Sequence, residues 1–273
     1  MKKHDKILSA LRVEKKKQIK LAKFDTSSAD GVKDKSQARE LLAAATAELA
    51  DLQYKLYAES KTGLLVVFQA MDTGGKDGVI RKVFGPLNPQ GVQVASFKRP
   101  TDLELSHDYL WRIHHFAPAK GMIRIFNRSQ YEDVLVHKVH KLIPDKVLNQ
   151  RYRQINDFER YLAENNVVIL KFLLHISKDE QKNRLQARLD NPKKRWKFEM
   201  GDLAERKLWD KYQDAYQAML ENCSHPHAPW YVVPADNKWY RDWVVAEVIL
   251  RQLKKIDPKF PKEQKGLDDV KVE

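Results

Sequence analysis

The stretch VVFQAMDTGGKDGVIRKVF, from Val66 to Phe84, joins an apolar run to a glycine-containing turn and a helix-like segment. It is close to the phosphate-binding loop G-x-x-x-x-G-K-[ST], in which backbone N–H groups and a helix N-terminus surround phosphate oxygens. Two positions depart from that loop, because Ala70 replaces the first glycine and Asp77 replaces the hydroxyl residue. An ordinary turn is the alternative, but the strand pattern before the loop and the helix pattern after it favour phosphate binding. The predicted phosphate-contacting residues are Thr73, Gly74, Gly75, Lys76, Asp77 and Gly78.

Acidic side chains in this loop indicate that a metal ion accompanies the phosphates. Asp72 and Asp77 place negative charge beside bound phosphate, which is unfavourable unless a divalent cation lies between them. We therefore predict dependence on Mg²⁺, with Mn²⁺ as an alternative, and expect Asp72 to be the principal ligand.

The segment GMIRIFNRSQYEDVLV, residues 121–136, is the candidate for a second metal-binding motif. In phosphate-loop kinases this motif is an apolar strand that ends in a carboxylate. The strand predicted here ends in Asn127, whose amide oxygen is a weaker ligand for Mg²⁺. Arg128 follows at the carboxyl end of the strand, where ligands of α/β proteins bind. Glu132 opens the next helix, and a site role is as good an interpretation as a favourable first-turn acid.

Further apolar runs indicate the fold. They are GVQVASF at 91–97, GMIRIFN at 121–127, VVILKFLLHI at 167–176 and PWYVVPA at 229–235. Stretches long enough for helices separate them, which predicts an α/β fold with a doubly wound, mainly parallel sheet of about five strands. Leucines and alanines at helical spacing predict a helix over 36–60. TDLE at Thr101–Glu104 and SKDE at Ser177–Glu180 predict capping boxes at two further helix starts.

We predict a basic N-terminal arm at 1–35, one kinase domain at 36–255 and a C-terminal tail at 256–273. Within the domain, residues 184–205 combine a helix end, Pro192, a dense cationic loop and a second helix. This is the plan of a lid that closes over phosphates, although a solvated basic loop is the alternative. Its candidate site residues are Arg188, Arg195 and Lys197, and Arg184 is a further cationic residue at its start.

Composition limits the function classes. The net charge of +13, from 50 basic and 37 acidic side chains, favours polyanionic ligands. The longest apolar run, at 167–176, is about half the length needed to span a bilayer, and the N-terminus lacks the apolar core of a secretory signal. We therefore expect a cytoplasmic protein without a membrane partner. The single cysteine, Cys223, excludes an intrachain disulfide.

These motifs together resemble the polyphosphate kinase 2 family, and NRSQYEDVLV most resembles its class III members. The resembling segments include QAMDTGGKDGVI, VASFKRPT, HDYLWRIH, FNRSQYEDVLV, the lid sequence and APWYVVPADNKWY, which together cover roughly residues 61–250. The resemblance implies a P-loop kinase fold with a helical lid. It also implies Mg²⁺-dependent phosphoryl transfer between inorganic polyphosphate and nucleotides, with nucleoside mono- and diphosphates as acceptors.

The resemblance also implies roles for individual residues. Asp72 would position the metal, and Lys76 with the loop amides would hold phosphate. Arg128 and Arg195 would stabilise charge during transfer, while Arg81 and Arg112 would extend the cationic track. A homo-oligomer, either a dimer or a tetramer, is the expected assembly, and no nucleic-acid partner is expected.

Two other functions remain as alternatives. An ATP-dependent nucleoside monophosphate kinase shares the fold, but Ala70, Asp77 and the basic lid disfavour it. A non-catalytic nucleic-acid-binding protein is favoured by net charge alone. A phosphohistidine intermediate at His114 or His115 is disfavoured, because neither has an evident partner in the sequence.

Overall fold

A parallel β-sheet forms the centre of the protein. The computed structural model describes residues 2–14, 19–267, 270 and 272. The remaining positions of the predicted arm (1 and 15–18) and of the predicted tail (268, 269, 271 and 273) lie outside the described residues. In the described chain the strands are β1 Gly63–Gln69, β2 Val92–Ser96, β3 Ile123–Asn127, β4 Val167–His175 and β5 Trp230–Pro234. Their order is β2-β3-β1-β4-β5 and every neighbouring pair is parallel, which confirms the predicted doubly wound α/β fold.

Helices cover the sheet. They are α1 Lys2–Leu11, α2 Lys35–Glu59, α3 Lys76–Phe84, α4 Asp102–Leu105, α5 Trp111–His114, α6 Glu132–His140, α7 Asp145–Glu164, α8 Lys178–Leu189, α9 Met200–Lys207, α10 Trp209–Cys223 and α11 Lys238–Ile256. Short 3₁₀ helices occur at Leu21–Lys23, Pro89–Gly91 and Arg195–Lys197. One group of packed helices contains α2, α3 and α11, and a second contains α6, α7 and α10. No helix in the described chain is both long and apolar enough to cross a membrane.

Burial explains why the strands read as continuous apolar runs. All seven residues of β1 are buried, as are eight of the nine in β4. A strand covered on both faces has no solvent-facing side, so polar residues do not alternate along it. β2 differs because it lies at the edge of the sheet and exposes three of its five residues.

The two predicted capping boxes have different outcomes. At α4 both bonds form, since Thr101 accepts from the Glu104 N–H and the Glu104 carboxylate accepts from the Thr101 N–H. At α8 Ser177 accepts from the Glu180 N–H, but its own N–H donates to Asp236 instead. The second hydrogen bond predicted for this box was therefore wrong, because the Asp236 carboxylate accepts from the Ser177 N–H in place of the Glu180 carboxylate.

Several apolar residues of the predicted N-terminal arm pack on the domain. Leu8, Val13 and Leu21 are buried in the same core as the sheet. The Val13 N–H donates to the Trp230 carbonyl at 2.9 Å, beside an antiparallel bridge between residues 12 and 231. The apolar side chains scattered among the lysines therefore cover the outer edge of β5. The domain boundaries at 35 and 255 stay predictions.

Candidate active site

The phosphate-binding loop joins β1 to α3 in a conformation that needs its glycines. Gly75 precedes the first residue of α3 with φ of +100°, and a Cβ there would overlap the Nη1 of Arg241. A Cβ on Gly74 would lie 2.5 Å from the Cβ of Ala70. Thr73 also has positive φ, and its buried Oγ1 has no hydrogen-bond partner among the described residues. The loop is therefore tight and presents the start of α3, together with an unsatisfied hydroxyl.

Lys76 lies at the start of α3 with its ammonium folded back over the loop. The Nζ donates to the Ala70 carbonyl at 3.1 Å. Burial lowers the pKa of Lys76 and the charge of Arg128 lowers it further, while Asp72 is the strongest of the opposing carboxylates. The side chain is thus a partly desolvated cation that a phosphate group would stabilise.

Arg128 connects the end of β3 to the loop. Its backbone has φ of +64°, and its N–H donates to the Phe68 carbonyl of β1. The guanidinium donates to Asp72 at 2.8 Å and lies 3.8 Å from the Glu132 carboxylate. The structure therefore brings these predicted site residues together at the carboxyl ends of β1 and β3.

Asp77 forms a second polar group with Asn127. The Asn127 Nδ2 donates to the Asp77 Oδ1 at 2.9 Å, and the Lys197 ammonium lies 3.5 Å from the other carboxylate oxygen. Burial raises the pKa of Asp77, but the Asn127 hydrogen bond and the Lys197 charge outweigh it, so the pKa is lower than usual. Asp77 is therefore held ionised, and its contact with Lys197 joins the loop to the predicted lid.

The oxygen donors at the loop suit Mg²⁺ shared with a substrate. Asp72, Asp77 and Asn127 offer carboxylate and amide oxygens, which are the ligands that Mg²⁺ prefers. In the described part of the chain, no group of three or more His, Cys, Asp or Glu side chains could hold a metal alone. This matches the usual mode for Mg²⁺ at phosphate sites, where one or two carboxylates and the substrate phosphates bind it together.

The predicted lid has the expected plan of helix, cationic turn and helix. It consists of the end of α8, the 3₁₀ helix at 195–197 and α9. Arg188 donates to the Lys197 carbonyl and to Asp202, and Arg195 donates to the Leu189 carbonyl at 2.7 Å. These contacts lie within the lid segment and not at the loop. Two large apolar side chains of the segment are strongly exposed, Trp196 at 77 % and Met200 at 76 %.

Three other predicted residues contribute no side-chain hydrogen bond or ion pair to the charged group at the loop in the described chain. Arg112 is buried, donates to the Lys98 carbonyl at 2.9 Å and packs over the Phe97 ring. Arg81 is exposed on α3, and Gly78 is the third residue of that helix. The site roles of all three stay predictions.

Two buried arginines support the loop and were not predicted to do so. Arg184 was predicted as a lid residue, but it donates to the Thr73 and Gly74 carbonyls and also to those of 235 and 236. Arg241 is buried beside Gly75 and pairs with Asp242. No local pattern reveals these roles, because the partners are backbone oxygens or glycines far away in the sequence.

A buried ion pair anchors the segment that follows Arg128. Lys171, which interrupts the apolar run of β4, donates to Glu159 at 2.5 Å and to the Tyr131 hydroxyl at 2.7 Å. The Glu159 carboxylate also accepts from Tyr131 and Gln130. Every charge in this network is paired, as buried charges require. The network holds Gln130 and Tyr131, the two residues immediately before α6.

Comparison with known proteins identifies the family. The family description "Polyphosphate kinase 2 (PPK2)" matches residues 32–261. The chain belongs to the polyphosphate kinase 2 family. The resemblance found in the motifs is thereby confirmed, and so is the expectation of a phosphotransferase.

Two relatives and one solved structure each match more than nine tenths of the chain. An AMP/ADP-polyphosphate phosphotransferase of Meiothermus ruber is 51 % identical over 96 % of this chain and 98 % of its own length. An ADP-polyphosphate phosphotransferase of Rhodopseudomonas palustris is 42 % identical over 92 % and 91 % of the two chains. The crystal structure of polyphosphate kinase 2 from Arthrobacter aurescens TC1 is 48 % identical, with a TM-score of 0.92 over 95 % of this chain and 93 % of that one.

Proposed function

We propose that the protein transfers phosphoryl groups directly from the end of inorganic polyphosphate to AMP and ADP, and to other nucleoside mono- and diphosphates. The observation that carries the proposal is the charged group at the loop, where Lys76 and Arg128 face Asp72 and Asp77. Family membership and the name of the Meiothermus ruber relative support polyphosphate as donor and both nucleotides as acceptors.

The chemistry requires positioning and charge compensation. The attacking phosphate oxygen is already anionic near neutral pH, so the site needs no strong general base. Lys76 and the amides at the start of α3 would bind the transferred group, and Arg128 would exchange its contact with Asp72 for phosphate oxygen. Asp72, with Asp77 and the weaker ligand Asn127, would hold Mg²⁺ (or Mn²⁺), which neutralises charge on the phosphates when bound.

The lid would supply additional positive charge. Arg188, Arg195 and Lys197 belong to one short segment, and Lys197 already contacts Asp77. We propose that closure of this segment brings an arginine to the transferred group, as arginine fingers do in related reactions. A cytoplasmic homo-oligomer that does not bind nucleic acid is proposed from the family resemblance.

Product analysis from single acceptors tests the proposal. The purified protein is incubated with Mg²⁺ and polyphosphate, with AMP alone and separately with ADP alone, and nucleotides are separated by chromatography. ATP should form from both acceptors. ATP from ADP alone would restrict the acceptor to diphosphates. Transfer to AMP from ATP, with none from polyphosphate, would identify an ATP-dependent monophosphate kinase instead.

A further inference from the structure

Three consecutive carbonyl groups of the phosphate-binding loop accept hydrogen bonds from one face of α8. The Gln181 Nε2 donates to the Asp72 carbonyl at 3.1 Å. Arg184 donates to the carbonyls of Thr73 and Gly74. The two donors are three residues apart, so their side chains lie on the same side of the helix. Gln181 is buried and uncharged, so its part in the site is to hold the backbone at Asp72.

The orientation of a carbonyl group fixes the direction of the N–H group in the same peptide unit. Because the peptide bond is planar and trans, the carbonyl of one residue and the N–H of the next point in opposite directions. The hydrogen bond from Gln181 to the Asp72 carbonyl therefore aims the Thr73 N–H away from α8. No residue of the described chain accepts from the N–H of Thr73 or of Gly75. These two N–H groups are thus available to phosphate oxygens.

Arg206 sets the orientation of the Gln181 amide. The Arg206 Nη1 donates to the Gln181 Oε1 at 2.9 Å and to the Lys178 carbonyl at 2.7 Å. An amide has an oxygen that accepts and a nitrogen that donates, so a guanidinium at the oxygen directs the nitrogen to the Asp72 carbonyl. Arg206 therefore selects the orientation in which Gln181 binds the loop.

The contacts of Arg206 lie at the base of the lid. Lys178 is the first residue of α8, and Arg206 is the last but one of α9. Arg206 therefore joins the two ends of the segment that carries the lid. Movement of α9 away from α8 at this point would release the amide of Gln181 from its partner. The position of α9 is thus coupled to the direction of the Thr73 N–H.

We propose that Gln181 is a positioning residue, which aims the Thr73 N–H at the phosphate group bound by the loop, and that Arg206 keeps Gln181 in this orientation. The proposal rests on the proposed function and names the side chains through which the base of the lid acts on the loop. Both act through the backbone and not by contact with substrate. Because the loop binds the transferred group, their loss should weaken binding of the donor and leave binding of the acceptor nucleotide unchanged.

Titration calorimetry with tripolyphosphate tests the role of Gln181, because it measures donor binding without turnover. Gln181→Met removes the donor and the acceptor of the amide and keeps the length of the side chain. Gln186→Met is the matched control, since Gln186 is exposed on the same helix and donates to Asp190 instead. The KM values for polyphosphate and for ADP are measured in parallel, and circular dichroism verifies that both variants are folded.

Gln181→Met should raise the Kd for tripolyphosphate and the KM for polyphosphate by about tenfold, as expected when a hydrogen bond to a charged group is weakened. The KM for ADP should stay within about twofold, and so should every constant of the control. An effect no larger than that of the control, or an equal rise in both KM values, would overturn the role of Gln181. A decrease in kcat alone would also overturn it, because loss of folded molecules has that result.

Variants of Arg206 test the second half of the proposal. Arg206→Met should raise the Kd for tripolyphosphate by about fivefold. Arg206→Lys should bring it back to within about twofold, because both hydrogen bonds come from one nitrogen and an ammonium group can donate to both acceptors. If Arg206 acts through Gln181, Gln181→Met/Arg206→Met should bind tripolyphosphate as Gln181→Met does, whereas multiplied effects of about fiftyfold would overturn the coupling. Binding of tripolyphosphate without any transfer in the unmodified protein would instead refute the proposed function.

Discussion

Replacing Arg184 by methionine should destabilise the protein strongly, although this residue belongs to the segment predicted as a lid. The guanidinium donates to the carbonyls of Thr73 and Gly74 at 3.1 and 3.2 Å, and to those of residues 235 and 236 at 2.5 and 3.1 Å. Its Nε also donates to Glu180 at 2.6 Å. Methionine keeps most of the apolar stem and removes all five hydrogen bonds.

The expected loss of stability depends on which polar groups the substitution leaves without a partner. Hydrogen bonds to a charged group contribute about 1.5–3 kcal/mol each, but their loss is not additive when water can replace some of them. Removing one partner from a buried charged network costs about 3–5 kcal/mol. Glu180 is partly exposed and would be resolvated, so we expect Arg184→Met to lose about 3–5 kcal/mol in total, mostly from the stranded carbonyls.

Urea unfolding at pH 7 measures this loss, with Arg188→Met as the control. Arg188 lies one turn later on α8 and makes two longer hydrogen bonds, at 3.2 and 3.3 Å, from a more exposed position. Its substitution should cost about 1 kcal/mol or less. The reasoning is refuted if the Arg184 variant loses less than about 1 kcal/mol or no more than its control.

Three further predictions concern the pH dependence of stability, the loop glycine and the loop lysine. Burial raises the pKa of Asp133 to about 6, against the opposing charges of two arginines. The folded state therefore binds more protons than the unfolded state between pH 4 and 6, so stability should fall by about 3 kcal/mol as pH rises through this window. Urea unfolding at several pH values should show that the stability of Asp133→Asn depends less on pH. The same pH dependence in the variant and the unmodified protein would contradict the role of Asp133. Gly75→Ala should cost more than about 1 kcal/mol, because of its positive φ and its overlap with Arg241. Gly201 is a helical glycine with open space around it, so Gly201→Ala should stabilise the protein by up to about 1 kcal/mol. Equal changes in stability for the two glycine variants, measured by calorimetry, would contradict this contrast. Lys76→Ala should lower kcat/KM by about 10²–10³-fold while the protein stays folded, and full activity in a polyphosphate-to-ADP assay would exclude the lysine from the site.

Structural features that arise from a short motif or from a periodic pattern of apolar residues could be predicted from the sequence. Doubly buried strands appear as apolar runs, and the loop with Lys76 has a fixed spacing, so the sheet and the loop could be placed in advance. Arg128 could be placed because it follows the end of a predicted strand. Arg184 could not be assigned its role, because its partners are backbone oxygens brought close only by the assembled sheet. The packing of Val13 was also missed, because single apolar residues among lysines produce no periodic signal.

The short pairing between Val13 and Trp230 also affects how the protein behaves in concentrated solution. An edge strand with free N–H and C=O groups is a template for pairing with another molecule, and β5 would be such an edge. The N-terminal residues occupy part of it with a strand contact from the same chain. Trimming these residues would uncover that template, so the N-terminal segment protects the protein against aggregation through the β5 edge.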